Sequence, residues 1–415
     1  MAWFENRLVS VKRGVLYLGR RPAAALAKEF GTPLLVYGRD EILANVRYLS
    51  DAFAGRAGVD VRLHYAMKAN PDRRILRLLK TAGTGIDAVS PGEVREALAA
   101  GFPARKVLFT ATSAGADDMK AAFAVDGLTA TIDALEQIDI MRRVRDRWFR
   151  GRTIRVSVRW NPGIGLGFNP KAITAGSRSS DGTPVKFGIE EAKVPEAFDR
   201  AAAAGFLPAG LHQHLGSGWL AEDYPAAVRA VNKMVEMAVR LAGRGHRLEF
   251  LDFGGGFGPR YAAGQRPFPV ARYAAHIGRQ VRRSGLPLRF IAVEPGKFLV
   301  AGAGVLLLRV EYVKESYGNL FACVNGGTFN TVPRPAVYAQ ARHEVVPCTG
   351  PSGRRRVPIT VAGNLCETGD IFAKEILLPR PRPGDFLAVL HAGAYGRSMA
   401  SHYNLRPIPR EIIVY

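Results

Sequence analysis

One lysine stands where covalent chemistry is possible. In Tyr65-Ala66-Met67-Lys68-Ala69-Asn70-Pro71 the amine follows directly on the apolar run Val61–Ala66. A primary amine at the end of a strand can condense with an aldehyde, so Lys68 is a candidate Schiff-base residue; taken alone, a solvated surface lysine is the more ordinary reading. Three further segments keep it company. Asp252-Phe-Gly-Gly-Gly-Phe-Gly258 follows another apolar run, and its glycines let backbone N–H groups approach an anion, although a tight turn would use glycines too. It is neither a Walker loop nor a dinucleotide fingerprint. Glu294-Pro-Gly-Lys297 places a carboxylate and a cation together behind Phe290–Val293. His212-Gln-His214-Leu-Gly-Ser217-Gly218 offers an imidazole able to stack on a flat group and a hydroxyl able to donate to a phosphate. Late in the chain, Cys366-Glu367-Thr-Gly-Asp370 and the stretch from Gly393 to Asn404 hold polar groups where a β-rich segment needs only turns. For Cys366 alone, a buried inert thiol is the default.

Such residues act together only if a frame gathers strand ends. Between residues 34 and 290, short β-branched apolar runs alternate with longer amphipathic stretches, the pattern of parallel strands covered by helices. The runs are Leu34–Tyr37, Val61–Ala66, Gly85–Val89, Val107–Phe109, Thr129–Ile132, Ile154–Trp160, Ala209–His214 and Phe250–Phe253. Eight runs over roughly 250 residues fit a closed (β/α)8 barrel, which carries its reactive groups at the carboxyl ends of its strands. An open doubly wound sheet has the same periodicity. Ser90-Pro-Gly-Glu93 predicts a capped helix start, with Val94, Leu98 and Ala99 on one face. After residue 290 the texture changes to alternating runs between Gly and Pro turns, as in Gly304–Val313, Leu320–Val324, Arg356–Val361 and Phe386–His391, which predicts a β-rich second domain. The first 33 residues are expected to join it. The polar loop Gly176–Pro184 is a candidate mobile segment.

Composition narrows the class. Of 415 residues, 47% are hydrophobic and 23% charged, enough apolar material for a large core. The opening MAWFENRLVSVKRG has no apolar stretch behind a basic end, and nowhere do 18 apolar residues run together, so a cytoplasmic protein without a membrane span is expected. Cys323, Cys348 and Cys366 are too scattered for a disulfide framework or a CxxC zinc site, and no metal is expected. With 58 Lys plus Arg against 36 Asp plus Glu, the net charge is +22, a field that draws phosphates, carboxylates and nucleic acid alike. The clusters Arg354–Arg356 and Arg279–Arg283 lack interleaved aromatics, so nucleic acid is not the expected partner.

Read in order, YAMKAN, HLGSG, DFGGGFG, EPGK, RPAVY, CETGD and GAYGRSMASHYN resemble the fold type III pyridoxal-phosphate decarboxylases. Diaminopimelate decarboxylases are the nearest likeness, with ornithine and arginine decarboxylases further away. The likeness runs from Phe30-Gly-Thr-Pro to Arg406-Pro407. It implies an alanine-racemase-like α/β barrel over 34–290, a β-rich domain built from 1–33 and 291–415, pyridoxal 5'-phosphate as cofactor and, as substrate, a diaminopimelate-like or a related basic or specialised amino acid. It further implies decarboxylation through an external aldimine and a quinonoid, in a homodimer with shared active sites. A racemase of the same fold and a non-catalytic, cofactor-binding or regulatory homologue are the alternatives.

By that resemblance Lys68 holds the cofactor covalently, Asp87 lies on its Schiff-base side, His214 stacks on its ring and Glu294 faces the pyridine nitrogen. The cofactor phosphate is expected on Gly254, Gly255, Gly256, Ser217, Gly296 and Lys297, with Tyr395 also touching it. Cys366 is the implied acid that reprotonates the substrate carbon. Glu367 and Asp370 meet the far end of the substrate, and Arg334 and Tyr338 hold a distal carboxylate, a task suited to a guanidinium fork. The chain departs from the family pattern in four places: Lys297 replaces an arginine, Phe109-Thr-Ala-Thr-Ser113 lacks lysine, Asn325-Gly326 precedes RPAVY, and Gly218-Trp219 follows the Gly-Ser pair.

Overall fold

Short, largely apolar runs need cover on both faces, and eight of them close on one another. The barrel strands are Asp60–Ala66, Gly85–Ala88, Val107–Phe109, Thr129–Ile132, Arg155–Asn161, Leu207–His212, Phe250–Asp252 and Phe290–Val293. Each pairs in parallel with the next, and the eighth returns to the first, with Val293 beside Leu63. This computed structural model describes residues 2–56, 58–350 and 353–415. The barrel belongs to a unit made of Val46–Gly258 and Arg266–Gly296, while Met1–Asn45, Pro259–Gln265 and Lys297–Tyr415 form a second unit.

The predicted capping box is present. Ser90 Oγ accepts from the Glu93 N–H at 3.2 Å and Glu93 Oε2 accepts from the Val89 N–H at 2.7 Å, so two backbone donors that a helix start leaves over are satisfied reciprocally. The helix Pro91–Ala99 buries Val94 and Ala97; Leu98 is half-buried and Ala99 faces solvent. At the amino end of the barrel, the rings of Phe250 and Phe290 stack at 4.9 Å. Gly210 admits them, because a Cβ there would lie 2.3 Å from the Phe250 ring.

The β unit corrects one strand. Leu34–Gly38 is not in the barrel: it pairs antiparallel with Gly304–Ser316 and parallel with Arg410–Val414. All five of its residues are buried, so it reads like a covered barrel strand, and the helix Arg39–Phe53 that follows completes the imitation of a βα unit. The eighth barrel strand is instead Phe290–Val293. In the β unit, Gly304–Ser316 also pairs with Asn319–Val324 and Phe386–Val389, and Leu18, Leu26, Leu34, Val36, Val305, Leu307 and Leu390 share one core. The loop Gly176–Pro184 is a closed turn, in which Arg178 bridges Pro184 and the Ser179 N–H donates to Thr183 O at 2.9 Å. No described helix is long and apolar enough to cross a membrane.

Candidate active site

Every barrel strand delivers a polar side chain at or just past its carboxyl end: Lys68, Asp87, Thr110, Asp133, Arg159, His212, Asp252 and Glu294, in strand order. A closed parallel barrel forces this convergence, since all eight carboxyl ends meet at one rim. Lys68 Nζ donates to Asp87 Oδ2 at 2.7 Å. Its side chain keeps 35% exposure while Asp87 is fully buried, an arrangement that leaves an amine reachable while fixing its orientation. Thr110 Oγ1 donates to the other Asp87 oxygen, so the lysine-free segment after the third strand still contributes to the site.

Glu294 and its neighbours form a buried polar group. His212 Nε2 donates to Glu294 Oε2 at 3.2 Å, and the two side chains are only 2% and 3% exposed. Burial opposes the Glu294 charge, but His212, Lys68 and Arg159 more than offset it and hold the carboxyl down to about 2. Its second oxygen, Oε1, has no donor among the described residues. The Asp252 carboxyl lies beside it, with Oδ1 accepting from the Gly254 N–H at 2.9 Å. Those three side chains offer ligand atoms within 4.8 Å of one another.

The triple-glycine turn is built by close approach. Gly254 has φ +67°, and a Cβ on Gly255 would meet the Glu294 carbonyl oxygen at 2.0 Å, so the chain passes where only glycine fits. Its backbone donors are less open than a bare nest. The Gly254 N–H serves Asp252 and the Gly255 N–H serves His214 Nδ1 at 3.2 Å, which leaves the Gly256 N–H without an acceptor among the described residues. Because His214 Nδ1 accepts, its proton sits on Nε2. Burial, then Lys68 and Arg159, hold that imidazole well below its ordinary value. The Ser217 carbonyl accepts from Phe168 and its N–H donates to Ala172 O, so the loop carrying its hydroxyl is fixed. Gly296 is seated against Ala66, and the Ala66 N–H donates to Pro295 O at 3.4 Å, so the EPG turn rests on the end of the strand that bears Lys68.

The remaining sequence-predicted residues lie in the β unit. Lys297 Nζ is 5.6 Å from the centre of the Tyr395 ring, and burial, then Arg334, depress its amine well below the usual range. Arg334 is 1% exposed; Nη1 donates to His343 Nε2 at 3.3 Å, and its guanidinium lies 4.5 Å from the Tyr261 ring centre. Tyr338 caps the short helix that Arg334 begins. Cys366 is exposed, not the buried thiol that is the default for a lone cysteine. Beside it Glu367 Oε1 accepts from Tyr403 OH at 2.6 Å. Asp370 departs from expectation: it is buried, with Oδ1 accepting from Thr328 N at 2.6 Å and Thr328 Oγ1 at 2.8 Å, and Oδ2 accepting from Leu365 N at 2.8 Å. A carboxylate so occupied ties its own segment together.

Several residues of the rim escaped the reading of the sequence, buried Asp133 among them. Arg159 is the one charge inside the run Val156–Trp160, a signal that was available; it is buried, 3.9 Å from Asp133. Asp252 was read only as the start of a glycine turn. Two of the departures have local explanations. Trp219 packs edge-on against Phe257 at 5.7 Å and lies against Phe268 at 5.6 Å, while Asn325 donates to Thr32 O at 2.7 Å and accepts from the Arg309 N–H at 2.9 Å.

Comparison with known proteins bears on this geometry. Residues 39–301 match the family model described as pyridoxal-dependent decarboxylase, pyridoxal binding domain. The diaminopimelate decarboxylase of Methanothermobacter thermautotrophicus is 38% identical over 411 residues, spanning 97% of this chain and 91% of that protein. The crystal structure of diaminopimelate decarboxylase from Helicobacter pylori complexed with L-lysine aligns with TM-score 0.86 at 31% identity, covering 94% of this chain and 93% of the other. Lysine/ornithine decarboxylase from Vibrio vulnificus complexed with putrescine aligns with TM-score 0.78 at 25% identity, covering 94% and 96%.

Proposed function

From a chain that belongs to the pyridoxal-dependent decarboxylase family, we infer that Lys68 and the barrel rim around it carry the chemistry. The protein is a pyridoxal 5'-phosphate-dependent amino-acid decarboxylase, a carboxy-lyase. The comparisons lend no support to a racemase or to a non-catalytic homologue. When bound, the cofactor supplies an aldehyde that captures an amine and a conjugated ring that takes up the electron pair released as carbon dioxide leaves. The residues present suit it: an amine beside a buried carboxylate, an orphaned Glu294 oxygen and an unclaimed Gly256 N–H.

Each side chain then has a task. Lys68 would hold the aldehyde, and Asp87 Oδ2, which accepts from its Nζ, would orient that nitrogen. Glu294 Oε1 would accept from the ring nitrogen, since an ionised carboxylate there would keep that nitrogen protonated. His214, neutral and fixed by Gly255, would stack on the ring. The Gly256 N–H and Ser217 Oγ would donate to the phosphate, with Gly254, Gly255 and Gly296 shaping the turns that present them. In the β unit, Lys297 and Tyr395 are assigned to the same anion, and Arg334 with Tyr338 to the distal carboxylate of the substrate. The buried guanidinium of Arg334, set beside His343 and the Tyr261 ring, is chemically suited to such a group. The substrate is accordingly diaminopimelate, which leaves lysine on losing carbon dioxide.

The protein is proposed to work as a homodimer in which a second copy contributes Cys366 and Glu367. In support, Cys366 is exposed and Leu405, close to it in the fold, is 94% exposed; an apolar side chain so bare is suited to cover by a partner. Cys366 Sγ then donates the proton that replaces the lost carboxylate. Three unpaired thiols suit a reducing compartment, and the cytoplasm is the proposed location.

The carrying observation is the Lys68 amine held by buried Asp87 on the rim that also bears Glu294. Carbon dioxide release from diaminopimelate, lysine, ornithine and arginine tests the reading. Diaminopimelate is expected to be turned over best; loss of optical activity without carbon dioxide from any of them would overturn it.

A further inference from the structure

Two carboxyl groups lie together at the ends of the seventh and eighth barrel strands, and each has an oxygen without a donor among the described residues. Asp252 Oδ2 and Glu294 Oε1 are buried and lack donors among the described residues. The two residues are 1% and 4% exposed, and together with His212 they offer atoms within 4.8 Å of one another. Two buried anions this close repel strongly, and a buried acceptor without a donor is costly besides. A single proton between the two carboxyls removes both difficulties.

The surroundings decide which residue holds it. Glu294 faces the His212 N–H and the positive charges of Lys68 and Arg159, all of which favour its anion. Asp252 has one backbone donor, Gly254, and faces the negative charges of Glu294 and Asp87. Burial and the Glu294 charge accordingly raise the Asp252 carboxyl well above the ordinary carboxylate range.

We propose that Asp252 is kept as the neutral acid and donates its proton to Glu294, which makes it a positioning residue that, with His212, fixes Glu294 as an anion with its carboxylate held in one orientation. His212 then holds Oε2 and Asp252 holds Oε1, where a lone pair remains for one more donor. The role in catalysis rests on the reading that Glu294 serves the cofactor nitrogen; the proton on Asp252 does not.

The two parts are tested separately. Infrared difference spectra of the purified full-length holoenzyme at neutral pH, wild type minus Asp252→Asn, are expected to show the carbonyl band of a protonated carboxylic acid that shifts in deuterium oxide. Absence of that band would overturn the proposal, since both carboxylates would then be ionised, as they would be around a bound divalent cation. Glu294→Gln, whose amide can donate to Asp252, is expected to remove the band as well and serves if Asp252→Asn does not fold. For the role, Asp252→Asn keeps a donor toward Glu294 and is expected to bind pyridoxal phosphate within about threefold of wild type, whereas Asp252→Leu is expected to weaken binding ~10- to 100-fold. The band present with equal affinities in all three proteins would refute the link to the cofactor while leaving the acid in place.

Discussion

Replacing Asp370 separates a structural carboxylate from one that meets substrate. The residue is 3% exposed and its carboxylate accepts from Thr328 N, Thr328 Oγ1 and Leu365 N at 2.6, 2.8 and 2.8 Å. Asp370→Ala leaves two backbone N–H groups and a hydroxyl without their partner. Each buried orphan costs about 1–3 kcal/mol, and neighbouring losses do not add fully. A total of about 3–5 kcal/mol is expected, at the high end of single substitutions. Asp370→Asn keeps an oxygen for Thr328 but sets an amide N–H against the Leu365 N–H, for about 1–3 kcal/mol. The assay is the denaturant midpoint of each protein together with turnover of its folded fraction. Lowered midpoints with turnover within a few-fold of the parent are expected. An Asp370→Asn protein as stable as the parent but about 100-fold slower would refute the reasoning and return the carboxylate to the substrate.

Cys366→Ala is expected to keep the cofactor spectrum and lower turnover by ~10²- to 10⁴-fold, the usual worth of a positioned proton donor; unchanged turnover in a steady-state carbon dioxide assay would remove the thiol from the chemistry. The pH dependence of stability follows from buried imidazoles. Burial lowers His64 to about 4, His391 to about 4 and His343 to about 3. The unfolded chain takes up protons near 6.5 while the folded one does not until about 4 or below, so stability is whole above about pH 7 and falls as pH drops toward 4. Each imidazole contributes a loss on the order of 1.4 kcal/mol for every pH unit between its unfolded and folded values. Unfolding midpoints measured from pH 7.5 to 4.5 check this, and His64→Gln is expected to flatten the slope; a flat profile for the parent would contradict it.

The rim was legible because its residues follow apolar runs directly: Lys68 after Val61–Ala66, Glu294 after Phe290–Val293. What the runs do not reveal is the sheet they join. Leu34–Gly38 is buried throughout, and cover on both faces looks the same along the chain whether a barrel or the β unit provides it. Only its partners, Gly304–Ser316 and Arg410–Val414, distinguish the two, and both are hundreds of residues away. The burial of Asp370 was hidden for a related reason. Its place in Cys366-Glu367-Thr-Gly-Asp370 is the same whether the carboxylate points outward or accepts from Thr328, 42 positions back. Asp252 and His212 were visible as letters, but that they share a buried pocket with Glu294 depends on how the sixth, seventh and eighth strands come together at the barrel rim.

Peptide mapping after borohydride reduction of the holoenzyme tests the central assignment most directly, because reduction fixes the cofactor to the amine that holds it. One labelled site, Lys68, is expected, with no label in a Lys68→Ala protein. Label at another lysine in an active enzyme, or carbon dioxide release sustained by Lys68→Ala, would contradict it.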